Sequence, residues 1–208
     1  MIQTTSSTLK YASPKIYRDM VAAIAESSSA PVCMHLDHGD SVETCMRALR
    51  AGYTSLMIDG SHMPYEQNVA EVSVVARAWR ACGVPVEAEL GKVGGKEDDL
   101  DGGSGGYTVP EEALDFVQRT GVTSLAVAIG TAHGVYKGVP KLDIERLKAI
   151  RKLVDIPLVL HGASGLSDQA VRDCIAEGIC KVNFATELRI AYTDAVRAFL
   201  AADCCHQI

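Results

Sequence analysis

Three short apolar runs in this sequence close on histidine followed by glycine. Cys33 and Met34 lead into His35, Leu36, Asp37, His38 and Gly39; Ala126 to Ile129 lead, through Gly130, to His133 and Gly134; Pro157 to Leu160 lead into His161 and Gly162. A lone histidine at a strand end is commonly structural. Three repeats of one pattern point instead to a catalytic metal centre, with three neutral imidazoles and an open fourth position. Glycine after each histidine leaves room for a ligand and lets the chain turn. On this reading His38, His133 and His161 hold zinc, and Asp37 beside them handles a proton. Alternation along an ideal strand puts Asp37 and His38 on opposite faces. Both reach one site only if the strand ends near Asp37 and the turn re-aims His38. His35 shares a face with Asp37 and reads as a barrel-interior residue or a support for a ligand.

Other polar residues stand where strands end. Asp59 and Glu89 are acids at buried strand ends, where an unpaired carboxylate is costly. They either pair with interior lysines or orient the histidines, or they offer an alternative metal position. Residues 91–107 form a glycine-rich, acidic stretch, read either as a solvated surface loop or as a mobile lid that brings Glu97 or a neighbour in as a base. Gly162, Ala163, Ser164 and Gly165, and then Asn183, Phe184, Ala185 and Thr186, are small or polar and each group precedes a helix. Their backbone N–H groups suit an anion, in addition to ordinary helix capping. Thr131 to Gly134 adds a third small loop to the same rim.

The elements that must position these residues alternate. Helices are expected over about 13–26, 41–52, 65–82, 110–121, 143–154, 167–177 and 187–202. Strands are expected at 1–4, 31–38, 54–59, 85–90, 124–130, 157–161 and 179–184, as near-continuous apolar runs. That is the pattern of a parallel sheet covered by helices. Asp37, His38, Asp59, Glu89, His133, His161 and Asn183 all fall at strand C-terminal ends. A doubly wound sheet gathers such residues at one switch point, whereas every strand of a barrel feeds one mouth. The fold class is therefore α/β, a (β/α)8 TIM barrel in one domain over residues 1–208, with its first strand missing. In such barrels the loops after the last two strands hold a phosphate in many cases.

Composition sets outer bounds. The chain has 208 residues, 48 % of them apolar, enough for a sizeable core but short of the roughly 250 of a full barrel. A net charge of −6 offers no basic face, so nucleic acid is not an expected partner. The apolar runs are far below a membrane span, and no segment reads as a signal peptide. Seven cysteines without a C-x-x-C pair read as buried reduced thiols of a cytoplasmic protein.

From Gln3 to about Leu200 the chain resembles the class II, zinc-dependent ketose-bisphosphate aldolases. The motifs that carry this are His35–His38, Met57–His62, Val86–Gly91, Gly94–Asp98, Gly130–Gly134, Leu160–Gly165 and Lys181–Asn183. The forms at Gly130–Gly134 and Leu160–Gly165 look most like the tagatose-1,6-bisphosphate branch, with fructose-1,6-bisphosphate members close by. The resemblance implies that His38, His133 and His161 hold one Zn2+, with Asp59 and Glu89 an alternative metal position. It implies that Asp37 is the proton donor to the carbinol oxygen, that Glu97 moves the proton at carbon, and that Asn183 steadies the enediolate. Gly134, Gly162, Ala163, Ser164, Asn183, Phe184, Ala185 and Thr186 would hold dihydroxyacetone phosphate, with a monovalent cation (Na+ or K+) near the phosphate. A homo-oligomer, dimer or tetramer, is implied as well. The family pattern departs at both ends: its first strand and its later C-terminal helices are unmatched, so a truncated barrel is expected. Two competing readings are an inactive fragment that keeps the site and a metal-dependent hydrolase. The phosphate-type loops argue against the hydrolase.

Overall fold

The computed structural model describes residues 1–97, 100–101, 106–136 and 138–202, with side chains except at 96, 97, 100 and 101. Seven parallel strands form the main sheet: β1 (Ile2–Thr5), β2 (Met34–Gly39), β3 (Ser55–Ile58), β4 (Val86–Leu90), β7 (Ser124–Val127), β9 (Leu158–Leu160) and β10 (Ile179–Val182), in that order. Seven helices alternate with them: α1 (Pro14–Ala25), α2 (Val42–Ala51), α3 (Tyr65–Ala81), α4 (Pro110–Thr120), α5 (Ile144–Leu153), α6 (Asp168–Ala176) and α7 (Thr186–Ala201). A second small sheet joins β5 (Gly94–Glu97), β6 (Leu100–Asp101) and β8 (Ala132–His133).

Local chemistry sets the helix ends. Ser41, Asp143 and Ser167 accept the backbone N–H of Thr44, Arg146 and Ala170 at the first turns of α2, α5 and α6. Gly52 and Gly121 close α2 and α4 in the left-handed conformation. Pro14 and Pro110 open α1 and α4, where their missing N–H costs nothing.

The strands are not uniformly apolar; they alternate. Leu36, Leu56, Ile58, Val86, Ala88, Leu90, Leu125, Val127, Leu158 and Leu160 face the helices and form one core with Val72, Val75, Trp79, Phe116, Leu147 and Ile150. Each fully buried large aliphatic there contributes about 2 kcal/mol. His35, Asp37, Ser55, Glu87, Glu89 and His161, all buried, belong to the opposite face. Parallel register sets these inner residues level: His35 lies beside Ser55, Met57 beside Glu87, and both Ala126 and Lys181 beside Val159.

Side chains from distant strands meet across this face, which requires the sheet to curl. Lys181 on β10 reaches Glu87 on β4, with Nζ to Oε2 at 2.9 Å. Asp37 on β2 accepts from Gln3 on β1 and from Asn183 just past β10. The result is an open (β/α) barrel whose edge strands β1 and β10 form no ladder with each other among the described residues.

Three expectations need correction. Residues 92–107 are not wholly loop: β5 and β6 pair antiparallel there, and Lys92 bridges Gly106. The strand expected over 124–130 ends at Val127, and β8 follows separately. Of the described cysteines only Cys45 and Cys174 are buried; Cys33 is half-buried, and Cys82, at the end of α3, and Cys180, on edge strand β10, are exposed. No described helix is long and apolar enough to cross a membrane.

Candidate active site

His38, His133 and His161 converge at the C-terminal mouth of the open barrel. Their ring centroids lie 4.7 to 6.0 Å apart, with planes crossing at 76° to 77°. One nitrogen of each lies within 4.8 Å of the others. His38 gets there through its backbone. Its φ of 44° is the single positive value outside glycine among the described residues. The β2–β3 register also slips between Leu36 and Gly39. This left-handed turn gives His38 the same side as Asp37 despite strand alternation, and Gly39 follows where a Cβ would strike the Met57 carbonyl.

Carboxylates hold two of the rings. His38 Nδ1 lies 2.6 Å from Asp59 Oδ2, and His161 Nε2 lies 2.9 Å from Glu87 Oε1. The remaining nitrogens, His38 Nε2 and His161 Nδ1, face each other at 3.0 Å. Glu89 Oε2 is buried without a hydrogen-bond partner and lies 3.5 Å from His161 Nδ1. A metal ion suits this donor set. Imidazoles tied to carboxylates through their outer nitrogens are the usual support for bound zinc, and a cation would also satisfy the orphaned Glu89 oxygen. His38, Asp59 and Glu89 form a second group that could hold an ion, sharing His38 with the first. A third group, His35, Asp37 and Glu87, has the Lys181 ammonium against Glu87, which supplies the positive charge an ion would bring.

The electrostatics separate three nearby acids. Burial pushes the Glu89 carboxyl up to about 8, and the Asp59 charge adds to this. Burial acts the same way on Glu87, but the Lys181 ammonium and the His161 hydrogen bond outweigh it and hold the carboxyl well below the usual range. Asp59 is likewise buried, yet its bond to His38 keeps it low. Burial lowers the basicity of His161, and it takes His35 down to about 4 with help from the Lys181 charge. These neutral imidazoles are in the form that binds metal.

Asp37, 2 % exposed, accepts from Gln3 Nε2 at 2.8 Å and from Asn183 Nδ2 at 3.2 Å. His35 turns Nδ1 to Ser55 Oγ at 2.8 Å and keeps Nε2 3.9 Å from Asp37. Asp59 and Glu89 contact histidines rather than interior lysines; the acid that meets a lysine is Glu87. Ser164 Oγ accepts from the N–H of Ala185 and of Glu187, which stitches the two small loops together. The Gly165 N–H is occupied by Glu187 Oε1 at 2.8 Å, so Gly162 to Ser164 and not Gly165 remain for an anion. Gly162 and Ala163 are buried there, whereas Phe184 is 43 % exposed. Gly134 follows His133 on the same rim with a positive φ of 86°. The Glu97 side chain lies outside the described residues; its backbone ends β5.

The sequence model of the class II fructose-bisphosphate aldolases matches residues 1–207. The chain belongs to this family. Its fold superposes on the YdjI aldolase from Escherichia coli K12 with a TM-score of 0.85 at 39 % identity, over 96 % of this chain and 70 % of that one. A structure from Coccidioides immitis with a provisional fructose-1,6-bisphosphate aldolase assignment gives 0.86 at 34 % identity, over 94 % and 71 %. The fructose-bisphosphate aldolase of Campylobacter jejuni, 23 % identical with a TM-score of 0.78 over 99 % and 70 %, shares the fold. Four residues of this aldolase-family site escape a sequence reading: Gln3, Glu87, Lys181 and Tyr136. Signals exist for two of them. Glu87 is two residues before Glu89 and Lys181 two before Asn183, so each shares the face of a residue already singled out.

Proposed function

We propose that the chain catalyses reversible aldol cleavage of a ketose 1,6-bisphosphate, tagatose 1,6-bisphosphate in preference to its fructose isomer. The products are dihydroxyacetone phosphate and glyceraldehyde 3-phosphate. The observation that carries this reading is the convergence of three histidines beside an aspartate clamped by two amides. His38, His133 and His161 would hold Zn2+, which supplies a Lewis acid for the oxyanion that forms when the carbon–carbon bond breaks.

The chain's own groups do the rest. In cleavage Asp37 accepts the proton of the carbinol hydroxyl, and in condensation it returns that proton to the oxygen. Gln3 and Asn183 fix the plane of its carboxylate for this transfer. Asn183 also serves the developing enediolate as a donor. Glu97 moves the proton at the carbon that becomes nucleophilic. Gly134, Gly162, Ala163, Ser164, Asn183, Phe184, Ala185 and Thr186 form the phosphate cradle, with Na+ or K+ beside it. Asp59 and Glu89 form the alternative metal position with His38. The same reading expects a cytoplasmic homo-oligomer; exposed Leu188, Tyr192 and Phe199 on α7 support association of copies.

The test is cleavage of both ketose bisphosphates by this chain with zinc and with chelator. Zinc-dependent turnover is expected, with tagatose 1,6-bisphosphate the faster substrate; the reverse ratio assigns the fructose isomer. A soluble, folded chain without turnover refutes the activity and leaves the inactive-fragment reading. His133→Ala should lose stoichiometric metal. Asp37→Ala should keep metal and lose turnover, and undiminished cleavage in it removes the role given to Asp37.

A further inference from the structure

Tyr136 sits three residues past His133, and its hydroxyl both accepts and donates a hydrogen bond. It accepts the Ala132 N–H at 2.8 Å and donates to the Gly162 carbonyl at 2.7 Å. Ala132 immediately precedes His133, and Gly162 immediately follows His161. One phenol therefore bolts together the two backbone segments that carry two of the three converging histidines. The segments are already close: a Cβ on Gly162 would lie 2.6 Å from the Ala132 carbonyl oxygen, and Gly162 holds a φ of +66°. The Tyr136 ring lies against Gly165, where an added Cβ would meet it at 3.2 Å.

Planarity turns this bridge into an aiming device. In a trans peptide the carbonyl and the following N–H point in opposite directions. Fixing the Gly162 carbonyl on Tyr136 therefore fixes the Ala163 N–H on the opposite side. We propose that Tyr136 is the positioning residue of the anion subsite: its hydroxyl sets the Gly162–Ala163 peptide so that the Ala163 N–H serves the phosphate of the substrate. This rests on the aldolase reading above, which assigns that phosphate to Gly162, Ala163 and Ser164. Tyr136 touches no reacting atom. Its effect falls on the phosphate and not on the triose oxygens.

The experiment uses the metal-loaded chain and its Tyr136→Phe variant, which keeps the ring against Gly165 and removes only the bridge. Two probes are titrated by ligand-observed NMR: dihydroxyacetone phosphate, and dihydroxyacetone without the phosphate. Bound metal is measured in the same samples. The variant should bind dihydroxyacetone phosphate about tenfold more weakly, the loss of one well-aimed hydrogen bond to a charged group. Its metal content and its affinity for dihydroxyacetone should stay as in the parent. KM for the bisphosphate should rise more than kcat falls. The ratio of the two affinities cancels any loss of folded protein. Equal affinities for dihydroxyacetone phosphate in parent and variant overturn the role of Tyr136 and leave the aldolase reading intact. Equal weakening of both probes, or a variant that does not fold, makes Tyr136 a structural residue and overturns it too. A parent chain that binds neither probe refutes the aldolase reading, and this proposal with it.

Discussion

Glu87 touches both a candidate ligand and a cation. Its Oε1 meets His161 Nε2, and both oxygens lie within 3.1 Å of Lys181 Nζ. An ionised carboxylate can only accept, so it forces the His161 proton onto Nε2 and leaves Nδ1 bare for a metal. Glutamine at this position can also donate, which permits the wrong tautomer. Glu87→Gln should therefore weaken zinc or cobalt binding by about 10 to 100-fold, measured by competition with a chelator. Unchanged affinity would show that His161 needs no such support. The sequence marks His161 through its glycine and its apolar run. It marks Glu87 only as sharing a face with Glu89 and not as the partner of His161, because nothing in one dimension says that β4 faces β9 and β10 across the barrel.

At the scale of elements, β5 and β8 matter most to the site. They pair in parallel, Gly94 beside Ala132 and Gly95 beside His133. The segment expected as a lid is thus hydrogen-bonded to the segment that carries a candidate ligand. Gly95 has a φ of +81°, and an added Cβ there would strike the His133 backbone. Gly95→Ala combines left-handed strain with that clash and should cost about 1–3 kcal/mol. For a chain of this size the melting temperature should drop by about 2–10 °C. Hydrogen exchange should show faster opening at 94–97 and 132–133 than elsewhere; uniform change would mean that β5 and β8 are not a unit. Neither strand was legible in the sequence. Both are too short and too rich in small residues for any period to appear, and their pairing partners lie 38 residues apart.

For the whole molecule, the balance of buried charge ties stability to pH. His35 is fully buried, and its folded pKa of about 4 lies below the ordinary 6.5. The unfolded chain therefore binds this proton more readily, and the stability associated with neutral His35 is intact above pH 6.5. It is lost progressively as pH falls from 6.5 toward 4, by up to about 3 kcal/mol. Urea unfolding of the metal-free chain at pH 7, 5.5 and 4.5 should show this decline. The His35→Gln variant should show a shallower one, and parallel curves would remove His35 as a source. The open barrel adds a second feature at this scale. None of the α7 side chains is buried, and Leu188, Ile190, Tyr192 and Phe199 are exposed on it.

The sequence by itself determined the alternation of strands and helices, the seven main strands and the placing of His38 and His161 at strand ends, but not that of His133, which ends the separate β8. Those features are local: apolar runs, capping residues and glycines act on their own neighbours in the chain. It also carried the warning that Asp37 and His38 need a turn to share a site. Only the tertiary structure decided how that turn is made, with His38 at a φ of 44°. Only it decided that Asp59 and Glu87 brace His38 and His161, that Lys181 neutralises Glu87, and that Tyr136 joins the Ala132 and Gly162 backbones. The contacts of Glu87 with His161 and Lys181 depend on the curl of the sheet, which brings together strands that are not neighbours in it. Curl comes from the sum of strand twists over the whole sheet, and no single stretch of residues encodes it.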